Sequence, residues 1–487
     1  MLLKDLIKGL DLSLTKSQED IDIKDICIDL EKLKKGDLFI DLKGDININE
    51  ILEKQPGFVI RFSSKNRNEA KNIYSFNDIR RLFALVCKNH SNSACDNLKI
   101  IGITGTNGKT STAKIVSDII KKSGKKVATI GTMGCEFAST TIETGFTTPD
   151  PNILHDLFFK IKKSGIEYVV MEVSAHAIFL KKLEGIRFEV LAITNITQDH
   201  LDFFKTMDNY ASTKLSFFDK KHAKQAVVCA DDTLCRSLMS SANIPIISYG
   251  VDSPSDIFAI DVLTDFSGTE FICNCLDEVF RVNSRLVGEY NVLNTLCAIG
   301  ICSELGISFE HIYLGILDSE SEVGRFNTIN FNDINIVIDY AHTPDGLEKV
   351  LRTAKTICKN KLRVVFGCGG NRDSLKRPLM GSIAEIYSDS VILTSDNPRF
   401  EKPLDIIEDI KKGMTGHCQI EEDRKKAIHL ALSQSERGDC VIIAGKGGEQ
   451  YQDINGVKKP YNDFEVVYSY FRKGLTLFNH KGVKYGN

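Results

Sequence analysis

The chain has 487 residues, too many for one ordinary hydrophobic core, so we expect roughly two to four domains. Its 42% hydrophobic and 26% charged residues are typical of a globular protein, and a net charge of -3 without a basic stripe argues against nucleic-acid binding. No run of about 18 apolar residues or signal-peptide pattern occurs, and the cysteines are scattered, which predicts a cytoplasmic protein with reduced thiols and no membrane span.

Residues 1–96 carry the weakest secondary-structure signal. Short apolar runs such as GDLFIDL (36–42) and PGFVIRF (56–62) alternate with charged turns. Runs of this length between turn residues are typical of strands. We therefore predict a small, divergent α/β domain over residues 1–96.

From Leu98 onward the pattern changes to short apolar runs separated by helical segments. The runs are LKIIGITG (98–105), YVVMEV (168–173), VLAITNI (190–196) and AVVCAD (226–231). Such an alternation indicates parallel strands joined by crossover helices. It predicts a central parallel-sheet domain of the P-loop ATPase type over residues 97–323.

A second series of the same kind begins near Gly324. Its strand-like runs are INIVIDYA (334–341), LRVVFGCGG (362–370), SVILTSDN (390–397) and DCVIIAGKGG (439–448). Amphipathic stretches at 346–357 and 403–414 lie between them. These features predict a separate, Rossmann-like α/β domain over residues 324–487, with boundaries good to about ten residues because no low-complexity linker marks them.

A glycine-rich phosphate loop follows the first strand of the central series. It consists of Gly105, Thr106, Asn107, Gly108, Lys109 and Thr110. Backbone N–H groups at a helix N-terminus cradle phosphate oxygens, while the lysine can reach the terminal phosphates and the threonine can ligate Mg²⁺. The loop predicts ATP binding, although a simple glycine turn remains the alternative. ATP binding alone fits a switch, a motor, a kinase or a ligase.

Acidic and imidazole groups follow the next two strands of the central series. Glu172 ends one strand, and Asn195, Asp199 and His200 follow the next one along the chain. The carboxyl ends of strands in an open α/β sheet face the ligand crevice. We expect these two strands to be adjacent, so that the groups at their ends could hold a Mg²⁺ that bridges phosphates. Glu172 alone could equally be a capping carboxylate.

An ordered series of motifs resembles the Mur ligase family, and within it the members that add diaminopimelate. The motifs are GTNGKT, TTPDP (147–151), MEVSAHA (171–177), DHLDFF (199–204) with Lys214, GEYNVLNTLCAI (288–299), GR (324–325), DYAHTPDGL (339–347), GGNRDSLKRPLM (369–380) and DNPR (396–399). The resemblance covers residues 98 to 465. It implies an ATP-dependent ligase of peptidoglycan synthesis, with roles in cell shape and cell division, that acts as a monomer on UDP-muramoyl dipeptide and diaminopimelate.

The resemblance also implies roles for individual residues. Catalytic roles would fall to Lys109, Glu172, His200 and Lys214. Metal ligands would be Thr110, Glu172, His200 and Lys214, with Lys214 carbamylated. Further ATP contacts would come from Asn291, Asn294, Arg325 and Asp339. Carbamylation requires a neutral amine, which burial favours by lowering the lysine pKa.

Two substrate subsites are implied in the same way. The muramoyl peptide would be held by Thr147, Thr148, Ser174 and Lys182. Diaminopimelate would be held by Arg372, Asp396, Asn397, Pro398, Arg399, Gly445 and Glu449. Arg399 could clamp the distal carboxylate that lysine lacks, and Glu449 suits the distal ammonium. A structural ion pair is the alternative role for Arg399.

The chain departs from the family pattern at three places. Asp29-Leu30-Glu31 stands where the family carries DSR near the uridine, Lys182 replaces an arginine, and Gly448 replaces the histidine of GKGHE. Alternatives to diaminopimelate addition are a ligase for lysine or another diamine, and a non-catalytic nucleotide-binding scaffold. Folylpolyglutamate synthase shares the central fold but is not expected to carry DNPR.

Overall fold

The computed structural model describes residues 1–70 and 72–479, and its three main sheets lie in successive stretches of the chain. The first sheet has the order β1-β2-β3-β5-β4, and its members are β1 (Ile26–Cys27), β2 (Leu38–Asp41), β3 (Phe58–Phe62), β4 (Arg67–Ala70) and β5 (Ile73–Phe76). The helices of this stretch are α1 (Leu3–Leu6), α2 (Lys16–Glu19), α3 (Ile48–Glu53) and α4 (Ile79–His90). Only β4 runs antiparallel to its neighbour among these described strands.

Strand β2 shows why the short N-terminal runs form a sheet. Leu38 and Ile40 pack in the cluster that contains residues of α4, whereas Phe39 packs with Ile51 of α3 on the opposite face. Side chains alternate across a strand, so both faces of β2 are covered and the whole run is apolar.

The central sheet has the order β16-β15-β14-β13-β12-β11-β6-β10-β7-β8-β9. Its strands are β6 (Lys99–Thr104), β7 (Val127–Gly131), β8 (Gly134–Phe137), β9 (Thr140–Ile142), β10 (Tyr168–Glu172), β11 (Phe188–Ile193), β12 (Ala223–Cys229), β13 (Ile246–Gly250), β14 (Ile257–Asp265), β15 (Gly268–Cys275) and β16 (Glu278–Ser284). Its helices are α5 (Lys109–Lys122), α6 (Pro151–Lys163), α7 (Ala175–Phe179), α8 (Leu201–Phe204), α9 (Met207–Leu215), α10 (Thr233–Arg236), α11 (Leu238–Ser241), α12 (Glu289–Glu304) and α13 (Phe309–Asp318).

The four predicted central strands are present and parallel, which confirms the predicted α/β class. Their order corrects one expectation, however. Strand β10, which ends at Glu172, and strand β11, which precedes Asn195, follow each other along the chain. They are not neighbours in the sheet, because β6 lies between them. The phosphate loop after β6 is therefore flanked on both sides by polar strand ends. Antiparallel strands at both edges of the sheet were not predicted.

The C-terminal sheet has the order β17-β18-β22-β19-β20-β21, and a separate hairpin follows it. The strands are β17 (Asn327–Phe331), β18 (Ile334–Asp339), β19 (Leu362–Phe366), β20 (Ser390–Leu393), β21 (Gln419–Ile420), β22 (Cys440–Ala444), β23 (Tyr451–Ile454) and β24 (Val457–Pro460). The helices are α14 (Pro344–Ile357), α15 (Lys376–Tyr387), α16 (Pro403–Lys411), α17 (Arg424–Ser433) and α18 (Asp463–Asn479). Strands β18, β22, β19 and β20 are parallel and buried, as the apolar runs predicted.

None of the helices in the part of the chain that the structure describes combines the length and the apolar character that a membrane span requires.

Candidate active site

The phosphate loop is fixed by contacts with the polar end of β11. The Asn195 side chain accepts from the backbone N–H of Asn107 at 2.9 Å and donates to the Asn107 carbonyl at 3.1 Å. Gly108 has φ +85°, and a Cβ there would lie 2.3 Å from Oδ1 of Asn294. Glycine is thus required both by the backbone conformation and by the close approach of α12. Asn195 therefore supports the loop, and it also lines the cavity beside it.

The half-buried Lys109 and the buried Lys214 converge on one carbonyl of this loop. Nζ of Lys109 and Nζ of Lys214 each lie 2.9 Å from the oxygen of Gly105. Burial lowers the pKa of both amines, and for Lys214 the nearby Lys109 lowers it further, to well below its usual value. Lys214 is only 1% exposed and otherwise lies 3.4 Å from the Thr104 hydroxyl. Its surroundings therefore favour the neutral amine.

Glu172 lies at the end of β10, directly across from the first turn of α5. Its Oε1 accepts from the Thr110 hydroxyl and from the backbone N–H of Thr132, each at 3.0 Å. A Cβ on Gly131 would come within 2.3 Å of the same oxygen, so glycine is needed there to admit the carboxylate. The structure thus brings Thr110 and Glu172 together beside the phosphate loop.

His200 lies on the other side of β6. Burial lowers the pKa of its imidazole to about 4 despite the opposing charge of Asp199, so the ring is neutral at physiological pH and able to bind a metal. In the described part of the chain no group of three or more His, Cys, Asp or Glu residues is arranged to hold a metal. Magnesium at phosphate sites takes few protein ligands and completes its shell with phosphate oxygens and water, so the scattered set of Thr110, Glu172 and His200 fits Mg²⁺.

One cavity of about 320 Å³ opens between the phosphate loop, α12 and α14. The sequence-predicted nucleotide residues that line it are Asn107, Gly108, Asn291, Asn294, Arg325 and Asp339. Asp339 accepts from two backbone N–H groups, those of Phe326 and Ala341, both at 2.7 Å. That carboxylate therefore shapes the turn that carries Arg325, whose guanidinium lies 4.6 Å from the centre of the Tyr340 ring.

A second cavity of about 340 Å³ joins the phosphate loop to the C-terminal sheet. The sequence-predicted residues that line it are Thr106, Asn107, Gly108, Lys109, Thr110, Thr147, Glu172, His200, Arg325, Arg372, Asp396, Asn397, Arg399, Gly445 and Glu449. We call it the reaction cavity. It places the candidate triphosphate site opposite the candidate amino-acid site, as an ATP-dependent transfer to an amine requires.

The DNPR loop is held in place by the β23–β24 hairpin and by a buried lysine. Asn397 accepts from the backbone N–H of Asp453 at 2.8 Å and from Nζ of Lys446 at 3.0 Å. The same ammonium donates to Glu449 Oε2 at 2.8 Å, and Asn397 Nδ2 donates to that oxygen at 2.8 Å. The sequence analysis did not identify Lys446 as a site residue. Its side chain is fully buried, and its contact with Asn397, which lies far away in the chain, is visible only in the structure.

Arg399 reaches the reaction cavity from a left-handed backbone conformation. One guanidinium nitrogen donates to the Gly370 carbonyl at 2.8 Å, and Nε lies 3.9 Å from Asp453. The arginine is therefore not held in a tight structural ion pair. A different cavity is lined by Pro398 and also by Arg399, but of these two residues only Arg399 lines the reaction cavity.

The four predicted muramoyl-peptide residues form a connected rim beside Glu172. The Thr148 hydroxyl donates to the Glu172 carbonyl at 2.9 Å, and the Ser174 hydroxyl caps α7 by accepting from the Ala177 N–H. Lys182 pairs with Asp150 at 2.7 Å. Of the four, Thr147 lines the reaction cavity. Two other predicted site residues, Gly105 and Lys214, lie beneath the phosphate loop and line neither of the two cavities described above.

Comparison with known proteins finds two family models that match this chain. Residues 103–302 match the Mur ligase middle domain and residues 324–447 the Mur ligase glutamate ligase domain. The UDP-N-acetylmuramoyl-L-alanyl-D-glutamate–2,6-diaminopimelate ligase of Clostridium perfringens is 37% identical over 96% of this chain and 99% of its own. The Aquifex aeolicus protein of that name is 37% identical over 91% and 93% of the two chains.

A solved structure of a protein with the same name superposes on this chain with a TM-score of 0.71. The two are 30% identical, and the superposition covers 97% of this chain and 99% of the other. Similarity of sequence and of fold extends over nearly the whole length, including the divergent N-terminal residues. The chain belongs to the Mur ligase family.

Proposed function

We propose that this chain is an ATP-dependent ligase that joins diaminopimelate to UDP-N-acetylmuramoyl-L-alanyl-D-glutamate in peptidoglycan precursor synthesis. The single observation that carries the proposal is the reaction cavity, which has the phosphate loop on one wall and Arg399 with Glu449 on the other. The names of the relatives at 37% identity support the same substrates. A non-catalytic scaffold would need only the phosphate loop.

The reaction follows from the chemistry of the partners. The γ-carboxylate of the D-glutamate residue attacks the γ-phosphorus of ATP, the bond to ADP breaks, and an acyl phosphate forms. The reacting ammonium of diaminopimelate loses a proton, and the free amine attacks the acyl carbon. The resulting tetrahedral intermediate expels phosphate, and the nitrogen loses a second proton as the amide forms. Lys109, which lines the reaction cavity, would stabilise charge on the transferring phosphoryl group.

We assign Mg²⁺ binding to Thr110, Glu172, His200 and a carbamylated Lys214. Bound Mg²⁺ would neutralise charge on the phosphates. Burial and the adjacent Lys109 hold Lys214 towards its neutral form, which is the form that reacts with CO₂. A carbamate on Lys214 would be negatively charged, so it would attract Lys109 instead of repelling it. It would also supply an anionic metal ligand.

The N-terminal residues 1–96 are proposed to bind the UDP end, the middle residues 97–323 ATP, and residues 324–487 the amino acid. The muramoyl peptide would lie along Thr147, Thr148, Ser174 and Lys182. Thr147 lines the reaction cavity, so we assign it direct contact with the peptide. The Thr148 and Ser174 hydroxyls and the Lys182 ammonium already have partners within the protein, so we assign these three residues to holding the rim in shape.

Acceptor choice is assigned to Arg399 and Glu449. The distal carbon of diaminopimelate carries a carboxylate and an ammonium, whereas that of lysine carries only the ammonium. The Arg399 guanidinium can bind the carboxylate through two parallel hydrogen bonds. With lysine in the same place, Arg399 would face a cation. Glu449, fixed by Lys446 and Asn397, provides the acceptor for the ammonium.

Phosphate release with UDP-muramoyl dipeptide and either diaminopimelate or lysine tests this proposal. We expect diaminopimelate to be used far better than lysine. Arg399→Lys keeps the charge but loses the fork, so the KM for diaminopimelate should rise about 10- to 100-fold while the KM for ATP stays unchanged.

Arg437→Gln serves as the control, because it changes an arginine that pairs with Asp333 at the surface. Better turnover with lysine than with diaminopimelate in the wild type would contradict the acceptor assignment. ATP binding without phosphate release in the presence of both substrates would support the scaffold alternative.

A further inference from the structure

The reaction cavity contains a carboxylate to which neither the family resemblance nor the proposed mechanism assigns a role. Asp373 is 8% exposed and lines this cavity. Its Oδ1 accepts from the Leu375 N–H at 2.9 Å. Its Oδ2 is buried and finds no hydrogen-bond partner among the described residues. Of the buried side-chain oxygens and nitrogens without a partner in the described chain, it alone belongs to a residue that lines the reaction cavity.

A buried carboxylate oxygen without a donor is costly, so such an oxygen in a substrate cavity is suited to a donor that arrives with the substrate. The other buried or half-buried acids of the cavity already have protein donors, whereas Asp202 is exposed to solvent. Asp199 accepts from the backbone N–H of His200. Glu172 is bonded to Thr110 and Thr132, Glu449 to Lys446 and Asn397, and the Asp396 carboxylate to the N–H of Asn397.

The charges around Asp373 match an amino-acid zwitterion. Arg372 and Lys376, its neighbours in the chain, also line the cavity and can face carboxylates. Diaminopimelate brings two carboxylates and two ammonium groups. Arg399 and Glu449 account for one of each at the distal carbon, which leaves a carboxylate and the ammonium at the reacting carbon.

We propose that Asp373 binds the ammonium at the reacting carbon of the incoming amino acid and orients that nitrogen towards the activated carboxyl group. The inference rests on the proposed function, because it assumes an amino-acid acceptor in the reaction cavity. It goes beyond that function by naming the residue that recognises the nucleophile itself. Since diaminopimelate and lysine share the reacting ammonium, the role of Asp373 does not depend on which of them is the natural acceptor.

Two substitutions test the role. Asp373→Asn and Asp373→Ser both keep an oxygen that can accept from the Leu375 N–H, and so preserve the turn, but both remove the negative charge. We expect either change to raise the KM for the acceptor about tenfold or more and to leave the KM for ATP within twofold. Asp373→Glu should recover part of the loss. Asp405→Asn, which makes the same change at an exposed position of α16, is the matched control.

The acceptor series separates this inference from the proposed function. Wild-type preference between diaminopimelate and lysine tests the function, whereas the ratio of variant to wild type with whichever acceptor is used tests Asp373. The effect of Asp373→Asn should appear with both acceptors, while that of Arg399→Lys should appear with diaminopimelate only. An acceptor KM within twofold of wild type in both charge-removing variants would overturn the inference. So would a raised magnesium requirement with an unchanged acceptor KM, which would make Asp373 a metal ligand.

Discussion

The Gly105 carbonyl accepts hydrogen bonds from two lysine side chains. This arrangement is unfavourable if both amines are charged, so one of them should be neutral. Both ammonium nitrogens lie 2.9 Å from the same oxygen, and Lys214 is fully enclosed. Two positive charges that share one acceptor oxygen repel each other strongly where water is excluded. Lys109 is needed as a cation beside phosphate, so Lys214 is the group that must lose its charge. Carbamylation would go further and make it an anion.

A test of Lys214 follows from this conflict. Lys214→Arg keeps a cation that cannot be carbamylated, so we expect phosphate release to fall at least ~100-fold, since anionic metal stabilisation would be lost. Removing dissolved CO₂ should slow the wild type, and added bicarbonate should restore it. The surface substitution Lys220→Arg should change neither behaviour. A wild-type rate in Lys214→Arg, or no response to CO₂, would contradict carbamylation.

At the scale of secondary structure, two kinds of element could be predicted from the sequence. These are motifs whose contacts are local, and strands that are covered on both faces of the sheet. Buried parallel strands such as β10 and β22 are continuous apolar runs, and the phosphate loop is a local motif, so their positions could be read directly. The β23–β24 hairpin could not, because β24 is exposed throughout and carries no apolar pattern. It is held by Asn397 and Arg399, more than fifty residues earlier in the chain.

The same reasoning separates the predictable from the unpredictable part of the site. Lys109 and Glu172 follow strands directly, so their place at the carboxyl edge was foreseeable. The arrangement of Lys446 between Asn397 and Glu449, and the free oxygen of Asp373, depend on how three loops meet. Strand order was also hidden, because no local signal says that β6 enters between β10 and β11.

A buried ion pair joins the last two helices and offers a test of stability. Arg424, at the start of α17, donates to both carboxylate oxygens of Asp463 at 2.9 and 2.8 Å, and both side chains are fully buried. Arg424→Met leaves Asp463 as an unpaired buried charge, so we expect a loss of about 3–5 kcal/mol in the free energy of unfolding. The double variant with Asp463→Leu should recover most of it. Urea unfolding followed by circular dichroism measures the free energy of unfolding of both variants. An equal loss in the single and the double variant would show that the unpaired Asp463 charge is not the cause.

For the whole molecule, the reaction depends on how the central and C-terminal sheets face each other. The candidate ATP-binding residues lie mainly in the central part of the chain, and the candidate acceptor-binding residues lie in the C-terminal part. Each of the two cavities is lined by residues of both parts. The phosphate loop contacts the C-terminal part directly, since Asn107 Nδ2 donates to Asp345 Oδ2 at 2.7 Å. Arg325 lies 3.5 Å from the Thr110 hydroxyl across the same junction. Nucleotide binding and closure over the acceptor are therefore expected to be coupled.

Asp345→Ala tests that coupling, because it removes the acceptor of the hydrogen bond between the phosphate loop and α14. A hydrogen bond to a charged group contributes about 1.5–3 kcal/mol, so the closed arrangement should become roughly ten times less populated or more. We expect a larger radius of gyration by X-ray scattering in solution and a matching fall in kcat. Glu348→Ala removes another acid of the same helix, one bonded to Tyr387 within the C-terminal part, and should leave both unchanged. If Asp345→Ala lowered kcat without any change in scattering, the hydrogen bond would act on the bound nucleotide alone and not on the closure of the two sheets.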